Sequence, residues 1–334
     1  MKRWQFWLGV GVSAVFLWWT LNGLPLRTVW EDVVTAEYLW LIPGIAAYFV
    51  AVWARTWRWD YLLRPLKRIS LRRLFPVVVI GYMGNNIFPF RAGEVLRSYV
   101  LRRREEVPMS ASLSTVIVER VFDGLVMLLF VFAALPFAPL PSSGIQALVI
   151  VASAAFFTAL AAFFLIAAMP DRALALLEWL CARLLPPPTR RPLLDAAGRF
   201  LLGLESLRSL RNVFMIFLSS TVIWLLEVVK YWFVMHAFNF QVSFFALMLM
   251  NGVVNLATTL PSAPGYIGTF DKPGIEVLEL YGVARQTATA YTLVLHAALL
   301  LPITLLGFVY MLQEGLGWAD IGRAMRAAET NPAT

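Results

Sequence analysis

The sequence is dominated by apolar runs of about 20 residues, the length of a helix that crosses the hydrocarbon core of a bilayer. Hydrophobic residues make up 60% of the chain and charged residues only 14%. In a soluble domain, about a quarter of the residues are charged. The sequence therefore predicts an all-α polytopic membrane protein. We expect spanning helices near residues 4–24, 38–61, 110–135, 145–169, 213–238 and 288–312.

Loop charges predict the orientation of these helices. Basic residues precede the first run and follow the last, and basic segments beside membrane helices stay in the cytoplasm. We therefore expect both termini in the cytoplasm and the protein in the cell (inner) membrane. The first run is too long for a signal peptide and lacks a small-residue cleavage site. In residues 171–211, Arg residues alternate with leucines, which favours amphipathic helices on the cytoplasmic interface; a soluble linker is the alternative.

One apolar run lies between two strongly basic loops. It begins at Leu74, is interrupted at Asn85-Asn86 and Pro89, and continues into a basic helix. A segment with cytoplasmic loops at both ends cannot cross the membrane once. Irregular backbone at membrane depth is tolerated only where protein or a water-filled cavity satisfies its polar groups. We therefore predict a re-entrant hairpin over residues 74–96 that lines a site.

A second interrupted region spans residues 244–271. Pro261 and Pro264 lack backbone donors, and Gly265 and Gly268 are conformationally permissive, so a helix does not continue there. The nearby loop charges nearly balance, which favours a hairpin that enters from outside. A gating or binding loop is the functional interpretation, and a plain external turn is the alternative.

The two interrupted regions give the predicted fold an internal symmetry. Residues 38–136 form one unit of helix, hairpin and helix, and residues 213–312 form another with the opposite orientation. Inverted repeats whose broken segments meet near the midplane are the layout of many transporters. We therefore predict a single membrane domain over residues 1–334, with six spanning helices and two oppositely oriented re-entrant hairpins.

The first hairpin contains residues suited to an anion. Asn85 and Asn86 offer amide groups where helical hydrogen bonds stop, and Gly93 allows backbone to approach a ligand closely. Arg91 supplies a permanently charged bidentate clamp, and Glu94 lies three residues on. The alternative is that Arg91 and Glu94 only pair with each other and cap the hairpin.

The third predicted helix contains three ionisable residues, Glu119, Arg120 and Asp123. Such residues within a spanning helix are costly and indicate function by default. The alternative is an ion-pair staple to the hairpin through Arg91 or Arg97.

An ion pair, a histidine and a group of tryptophans in the predicted helices each have an interpretation as part of the fold. Glu227 and Lys230 are three residues apart on one helix and are expected to neutralise each other. His296, deep in the last helix, is either a substrate contact or a satisfied interior residue. Three tryptophans near the end of the second helix are expected in an interfacial aromatic belt: Trp53, Trp57 and Trp59.

Several function classes are not expected. The sequence has no P-loop, no Gly-x-Ser-x-Gly and no HExxH motif, so we predict no catalytic residue and no ATP-driven pumping by this chain alone. Cys181 is the single cysteine, so neither an internal disulfide nor a thiol metal cluster is expected, and we predict no metal and no cofactor. The net charge of +8 comes mainly from short loops, which favours anionic lipid head groups over nucleic acid.

Three sequence segments resemble the transmembrane domain family of lysylphosphatidylglycerol synthase/flippase: NNIFPFRAGEVLRSYVLRRREE, VERVFDGL and PSAPGYIGTFD. The resemblance covers about residues 39–312. Its signature falls on Asn86, Pro89, Arg91, Gly93, Glu94, Arg97, Glu119, Arg120, Asp123, Pro264, Gly265 and Gly268. The chain departs from the family pattern at Tyr266, at Asp271, which keeps a carboxylate where a Glu is common, and at His296, where an Arg is common.

This resemblance implies movement of an amphiphilic lipid between leaflets. In that interpretation Arg91, Arg97 and Arg120 hold a phosphate head group, while Glu94, Glu119 and Asp123 orient them or pair with a cationic lipid. Few residues follow the last predicted helix, so synthase activity is not expected. Two alternatives stay open: an enzyme that acts on a lipid-linked head group through Glu94, Glu119 or Asp123, and a non-transporting scaffold for a lipid-modifying synthase or glycosyltransferase. The lipid and the oligomeric state are left open.

Overall fold

The computed structural model describes residues 26–88, 92–134, 169–184, 209–258 and 264–317, together with isolated positions elsewhere. Within these residues the chain is helical and contains no strand. The helices are α1 (Leu26–Thr35), α2 (Leu41–Leu63), α3 (Leu71–Ile87), α4 (Ala92–Glu105), α5 (Met109–Ala134), α6 (Pro170–Leu184), α7 (Leu210–Met235), α8 (Phe244–Ala257), α9 (Asp271–Leu280) and α10 (Arg285–Gln313).

Three of these helices are long and apolar enough to cross a membrane: α2 with its preceding 3₁₀ turn from Tyr38, α7 and α10. Helix α5 is as long as α7 but contains three ionisable residues. The helices predicted near 38–61, 110–135, 213–238 and 288–312 are therefore confirmed as helices. Those predicted at 4–24 and 145–169 lie outside the described residues except for isolated positions.

Helices α3 and α4 form the first hairpin, and glycines allow their backbones to touch. Gly81 and Gly84 on α3 face Gly93 on α4, and a Cβ atom on Gly93 would overlap the Gly81 carbonyl oxygen. The predicted break at the two asparagines is wrong, because α3 continues through them to Ile87. The helix ends at Phe88, whose backbone is extended, since a residue before proline is driven out of the α region.

Helices α8 and α9 form the second interrupted unit. A 3₁₀ turn over Pro264–Tyr266 lies between them, and its Gly265 has a φ of 71°. The Ser243 hydroxyl caps α8 by accepting from the Ala246 N–H. The return arm begins at Asp271 and extends to Leu280, beyond the predicted end of this region.

The packing of the helices repeats between the two halves. Helices α2 and α7 pack against each other at the centre, α3 packs on α10, and α8 packs in the same way on α5. The pairs α2–α3, α3–α4 and α4–α5 correspond to α7–α8, α8–α9 and α9–α10. The four helices α2, α3, α4 and α5 therefore correspond in order to α7, α8, α9 and α10. Exchange of these two sets leaves the packing pattern unchanged. In each half, the first helix of the interrupted unit (α3 or α8) packs against the last long helix of the other half (α10 or α5).

Candidate functional site

A polar cavity of about 140 Å³ lies where the two interrupted units meet. It is large enough for a few water molecules or a small head group. Of the predicted site residues, the cavity is lined by Asn85, Asn86, Gly93, Glu94, Arg97, Arg120, Asp123, Gly265 and His296. Glu119 and Asp271 contact the lining residues Arg97 and His296, and Gly268 contacts Asp271 in turn. Pro264 begins the adjacent turn, and Pro89, Arg91 and Pro261 lie outside the described residues.

Asp123 is the centre of a buried charge network. Its Oδ1 atom lies 2.5 Å from Arg58 Nη1 and accepts a 2.9 Å hydrogen bond from Trp224 Nε1. The same Arg58 nitrogen donates to the Ser220 hydroxyl at 2.9 Å. Arg58 is 1% exposed, and a buried charge is tolerated only when it is paired and hydrogen-bonded. This network joins α2, α5 and α7.

Glu119 ties the first hairpin to α5. It forms an ion pair with Arg97 of α4, and its other oxygen lies 3.8 Å from Arg58. The Arg97 guanidinium stacks over the Trp59 ring, 4.6 Å from its centroid. The predicted staple between α5 and the hairpin is therefore present.

Trp59 is fully buried, so its predicted place in an interfacial belt is wrong. The Arg97 guanidinium that stacks on its ring makes Trp59 part of the site.

Of the cations that line the cavity, Arg120 has the longest distances to its partner carboxylates. Its guanidinium lies 3.4 Å from Asp123 and 3.6 Å from Glu94, and its side chain is 33% exposed. These distances exceed those of close charge-assisted hydrogen bonds. Arg120 can therefore accept an additional anion without loss of a short pair.

A second charge network lies on the other side of the cavity. Glu227 pairs with Lys230 on its own helix and with Arg55 of α2 at 2.7 Å. The Lys230 ammonium lies 4.9 Å from the centroid of the Tyr48 ring. The predicted Glu227–Lys230 pair is confirmed, and it forms part of a larger cluster that lines the cavity.

Sequence reasoning missed Arg55 and Arg58 as members of the site. Both lie near one end of the second predicted helix, which leads into a basic loop, so their charge has an equally good explanation as part of that loop. The structure buries both, because their partners lie on α5 and α7. Their spacing of three residues within an apolar, membrane-length helix was the available signal, since ionisable residues in such a helix face partners.

His296 connects the last long helix to the second interrupted unit. Its Nδ1 atom lies 2.8 Å from Asp271 Oδ1, and its Nε2 atom lies 2.7 Å from the Gly265 carbonyl oxygen. The other Asp271 oxygen accepts a 2.8 Å hydrogen bond from the Gly268 N–H. The Phe270 ring lies against the imidazole, 4.4 Å between centroids.

On the first-hairpin side, Asn86 joins the cavity wall to α10. Its amide nitrogen donates to the Thr304 hydroxyl at 2.8 Å. The Asn85 side-chain oxygen is buried and accepts no hydrogen bond. An unsatisfied buried acceptor is costly, so Asn85 presents an open acceptor beside the cavity.

The described charges of the two networks carry a positive excess. Five cations, Arg55, Arg58, Arg97, Arg120 and Lys230, face four carboxylates, Glu94, Glu119, Asp123 and Glu227. An anionic ligand would complete the balance. Among the described residues, no group of three His, Cys, Asp or Glu side chains is placed to hold a metal ion.

The comparisons with known proteins agree with this architecture. A family model described as the lysylphosphatidylglycerol synthase TM region matches residues 6–307. A UPF0104 membrane protein of Methanothermobacter thermautotrophicus is 25% identical over 327 residues, 93% of each chain. A UPF0104 membrane protein of Methanocaldococcus jannaschii is 23% identical over 265 residues, 76% of this chain and 79% of the relative. Glycosyltransferase AglD of Haloferax volcanii is 26% identical over 144 residues, 35% of this chain and 23% of the relative. No solved structure matches the chain.

Proposed function

The chain belongs to the lysylphosphatidylglycerol synthase transmembrane family, and on this premise we propose that it moves a phosphate-bearing lipid between membrane leaflets. The substrate is a phospholipid or a polyprenyl-phosphate-linked lipid. The head group enters the polar cavity, and the tails remain in the bilayer. Flippase and scramblase activity are both compatible with this proposal.

The observation that supports the proposal most strongly is the polar cavity between the two interrupted units. The described charged side chains around it include one more cation than carboxylates. In a membrane, charged side chains are costly and mark substrate paths. Arg120 offers a loosely paired guanidinium to a phosphate, and planar guanidinium groups suit bidentate phosphate binding. Arg97 and Asp123 are held by short contacts. We assign them to positioning of the cavity wall, and we assign contact with the lipid to Arg120.

We also propose the membrane topology. It consists of six spanning helices and two re-entrant hairpins that enter from opposite sides, with both termini in the cytoplasm. The exchange symmetry of the helix packing supports an internal repeat, and the loop charges favour opposite orientations of its two halves. Inverted repeats place substrate sites near the midplane, and in the proposed topology the cavity is that site.

Native mass spectrometry of protein extracted with its own lipids tests the site. We expect the parent protein to retain a phosphate-bearing lipid and Arg120→Gln to lose at least about tenfold in retention, since a hydrogen bond to a charged group contributes about 1.5–3 kcal/mol. Arg64→Gln is the matched control, because Arg64 pairs with Asp60 at 2.7 Å and does not line the cavity. Equal retention by the parent and both variants would contradict the proposed site.

A second candidate function is supported by the partial similarity to Glycosyltransferase AglD. The chain would then be a membrane scaffold for a glycosyltransferase rather than a transporter. Under that hypothesis Arg120→Gln leaves function intact, whereas charge reversal on α6 (Pro170–Leu184) abolishes co-purification with the enzyme. Lipid movement by the purified chain alone would exclude a purely scaffolding role.

A further inference from the structure

We propose that His296 and Asp271 form a proton-binding site that couples proton movement to lipid movement. The inference rests on the proposed transport function and supplies its energy source. It comes from the contacts of a single imidazole ring, which touches the turn of the second interrupted unit and the start of its return arm.

Both nitrogens of His296 face hydrogen-bond acceptors. Nδ1 lies 2.8 Å from a carboxylate oxygen of Asp271, and Nε2 lies 2.7 Å from the carbonyl oxygen of Gly265. A neutral imidazole has one N–H, so it can donate to only one of these two groups. An imidazolium carries a proton on each nitrogen and donates to both groups at once, and we assign this form to His296 in this conformation.

The carboxylate of Asp271 is equally committed as an acceptor. One oxygen accepts from His296, and the other accepts a 2.8 Å hydrogen bond from the Gly268 N–H. Asp271 is 1% exposed. The imidazolium and the carboxylate therefore form a buried pair whose charges neutralise each other. The pair neither adds to nor subtracts from the positive excess of the cavity while the proton is bound.

Loss of the proton changes the position of the loop. One ring nitrogen then has a lone pair that faces another acceptor, and the contact with the Gly265 carbonyl becomes repulsive. Gly265 belongs to the 3₁₀ turn that packs against α3 of the first hairpin. Deprotonation therefore releases the turn at the point where the two interrupted units meet. In the proposed transport cycle, the lipid head group passes between the two units while the turn is released.

Other titratable groups face the same cavity from α2, α3, α4, α5 and α7 and from the turn beside Gly265. They are Tyr48, Arg55, Tyr82, Glu94, Arg97, Arg120, Asp123, Glu227, Tyr231 and Tyr266. Each of the carboxylates among them has a cationic partner within 4 Å. Tyr and Arg side chains ordinarily titrate at about pH 10 and above. Among the described lining residues, His296 is the side chain whose type changes charge between about pH 5 and 8.

The chain allows a direct measurement of the proton, because it contains only two histidines. His236 lies at the end of α7, where its Nδ1 contacts the Trp232 carbonyl oxygen at 2.8 Å, away from the cavity. In His236→Gln protein with ¹⁵N-labelled histidine, reconstituted in lipid, the NMR signal of one ring remains. We expect that ring to carry a proton on both nitrogens while it contacts Asp271 and Gly265, and to lose one of them when Asp271 is replaced by Asn. A singly protonated ring throughout pH 5 to 8 would overturn the proposal.

The coupling is tested in vesicles that report lipid movement and internal pH together. An imposed pH gradient should change the rate of lipid movement at least about fivefold in the parent and in His236→Gln, the lower end of typical coupling. In His296→Arg, which keeps a permanent cation, and in His296→Gln, the gradient should have no effect. A gradient effect of equal size in the His296 variants would overturn the inference. Lipid movement without any gradient effect in the parent would overturn it too, while leaving the transport function supported.

Discussion

At the scale of single residues, most of the buried charges of the site have a partner on another helix. Arg58 of α2 contacts Asp123 of α5 and the Ser220 hydroxyl of α7, so loss of the Asp123 carboxylate leaves Arg58 without its closest anion. Removal of one partner of a buried pair costs far more than the pair contributes, because the remaining charge stays out of water. Stability should therefore be sensitive at these positions.

Asp123→Asn should destabilise the fold by about 3–5 kcal/mol, because it leaves Arg58 buried without its closest anion. The measurement is denaturant unfolding in detergent or lipid. Asp60→Asn is the matched control: Asp60 pairs with Arg64, whose side chain is 37% exposed, and such pairs contribute about 0–1 kcal/mol. Equal stability of the two variants would contradict the buried network.

The residue types of the site could be predicted from the sequence, but their partners could not. The signal at Glu119, Arg120 and Asp123 was clear because charges in an apolar helix are rare. Arg55 and Arg58 were missed because they adjoin a basic loop that explained them equally well. The orientation of Trp59 toward Arg97 depends on helix packing, which no local pattern encodes.

At the scale of elements, the first hairpin depends on close backbone contact between α3 and α4. Gly93→Ala places a methyl group against the Gly81 carbonyl oxygen and the backbone of Asn85. Backbone cannot move aside as a side-chain end can, so we expect the loss in stability to reach or exceed the ~1–3 kcal/mol typical of overpacking. Thermal unfolding of the purified variant measures it.

Gly11→Ala is the control for this substitution, because no atom of the described residues lies within 4 Å of the added methyl group. It should not lower the unfolding temperature, since alanine favours a helix more than glycine does. A Gly93→Ala protein as stable as the parent would show that the two helices are not held in this contact.

The existence of the hairpins could be predicted, and their exact turns could not. Phe88 and the proline after it end α3, while the two asparagines stay helical, since asparagine lowers helix propensity only slightly compared with proline. In the second unit, the return arm begins at Asp271, because an acidic residue is favoured in the first turn of a helix.

At the scale of the whole molecule, the two halves share one packing pattern, and the loop charges predict opposite orientations of the two interrupted units. Single-cysteine labelling tests this in a Cys181→Ala background, because Cys181 is the one native cysteine. Arg72 and Ala284 are exposed positions beside the first and the second unit. A membrane-impermeant thiol reagent should label Ala284→Cys in intact cells, and Arg72→Cys only after permeabilisation. Labelling of both from the same side would contradict the inverted topology.

In the proposed function, the purified chain by itself moves a phosphate-bearing lipid through this cavity. The most direct measurement reconstitutes the protein in vesicles with phospholipid or polyprenyl-phosphate probes and follows the fraction of probe accessible from outside. We expect the parent and Arg64→Gln to exchange the probe between leaflets, and Arg120→Gln to be slower by at least about tenfold, since it loses a charged hydrogen bond of about 1.5–3 kcal/mol. A parent protein that moves none of these probes faster than protein-free vesicles would contradict the account.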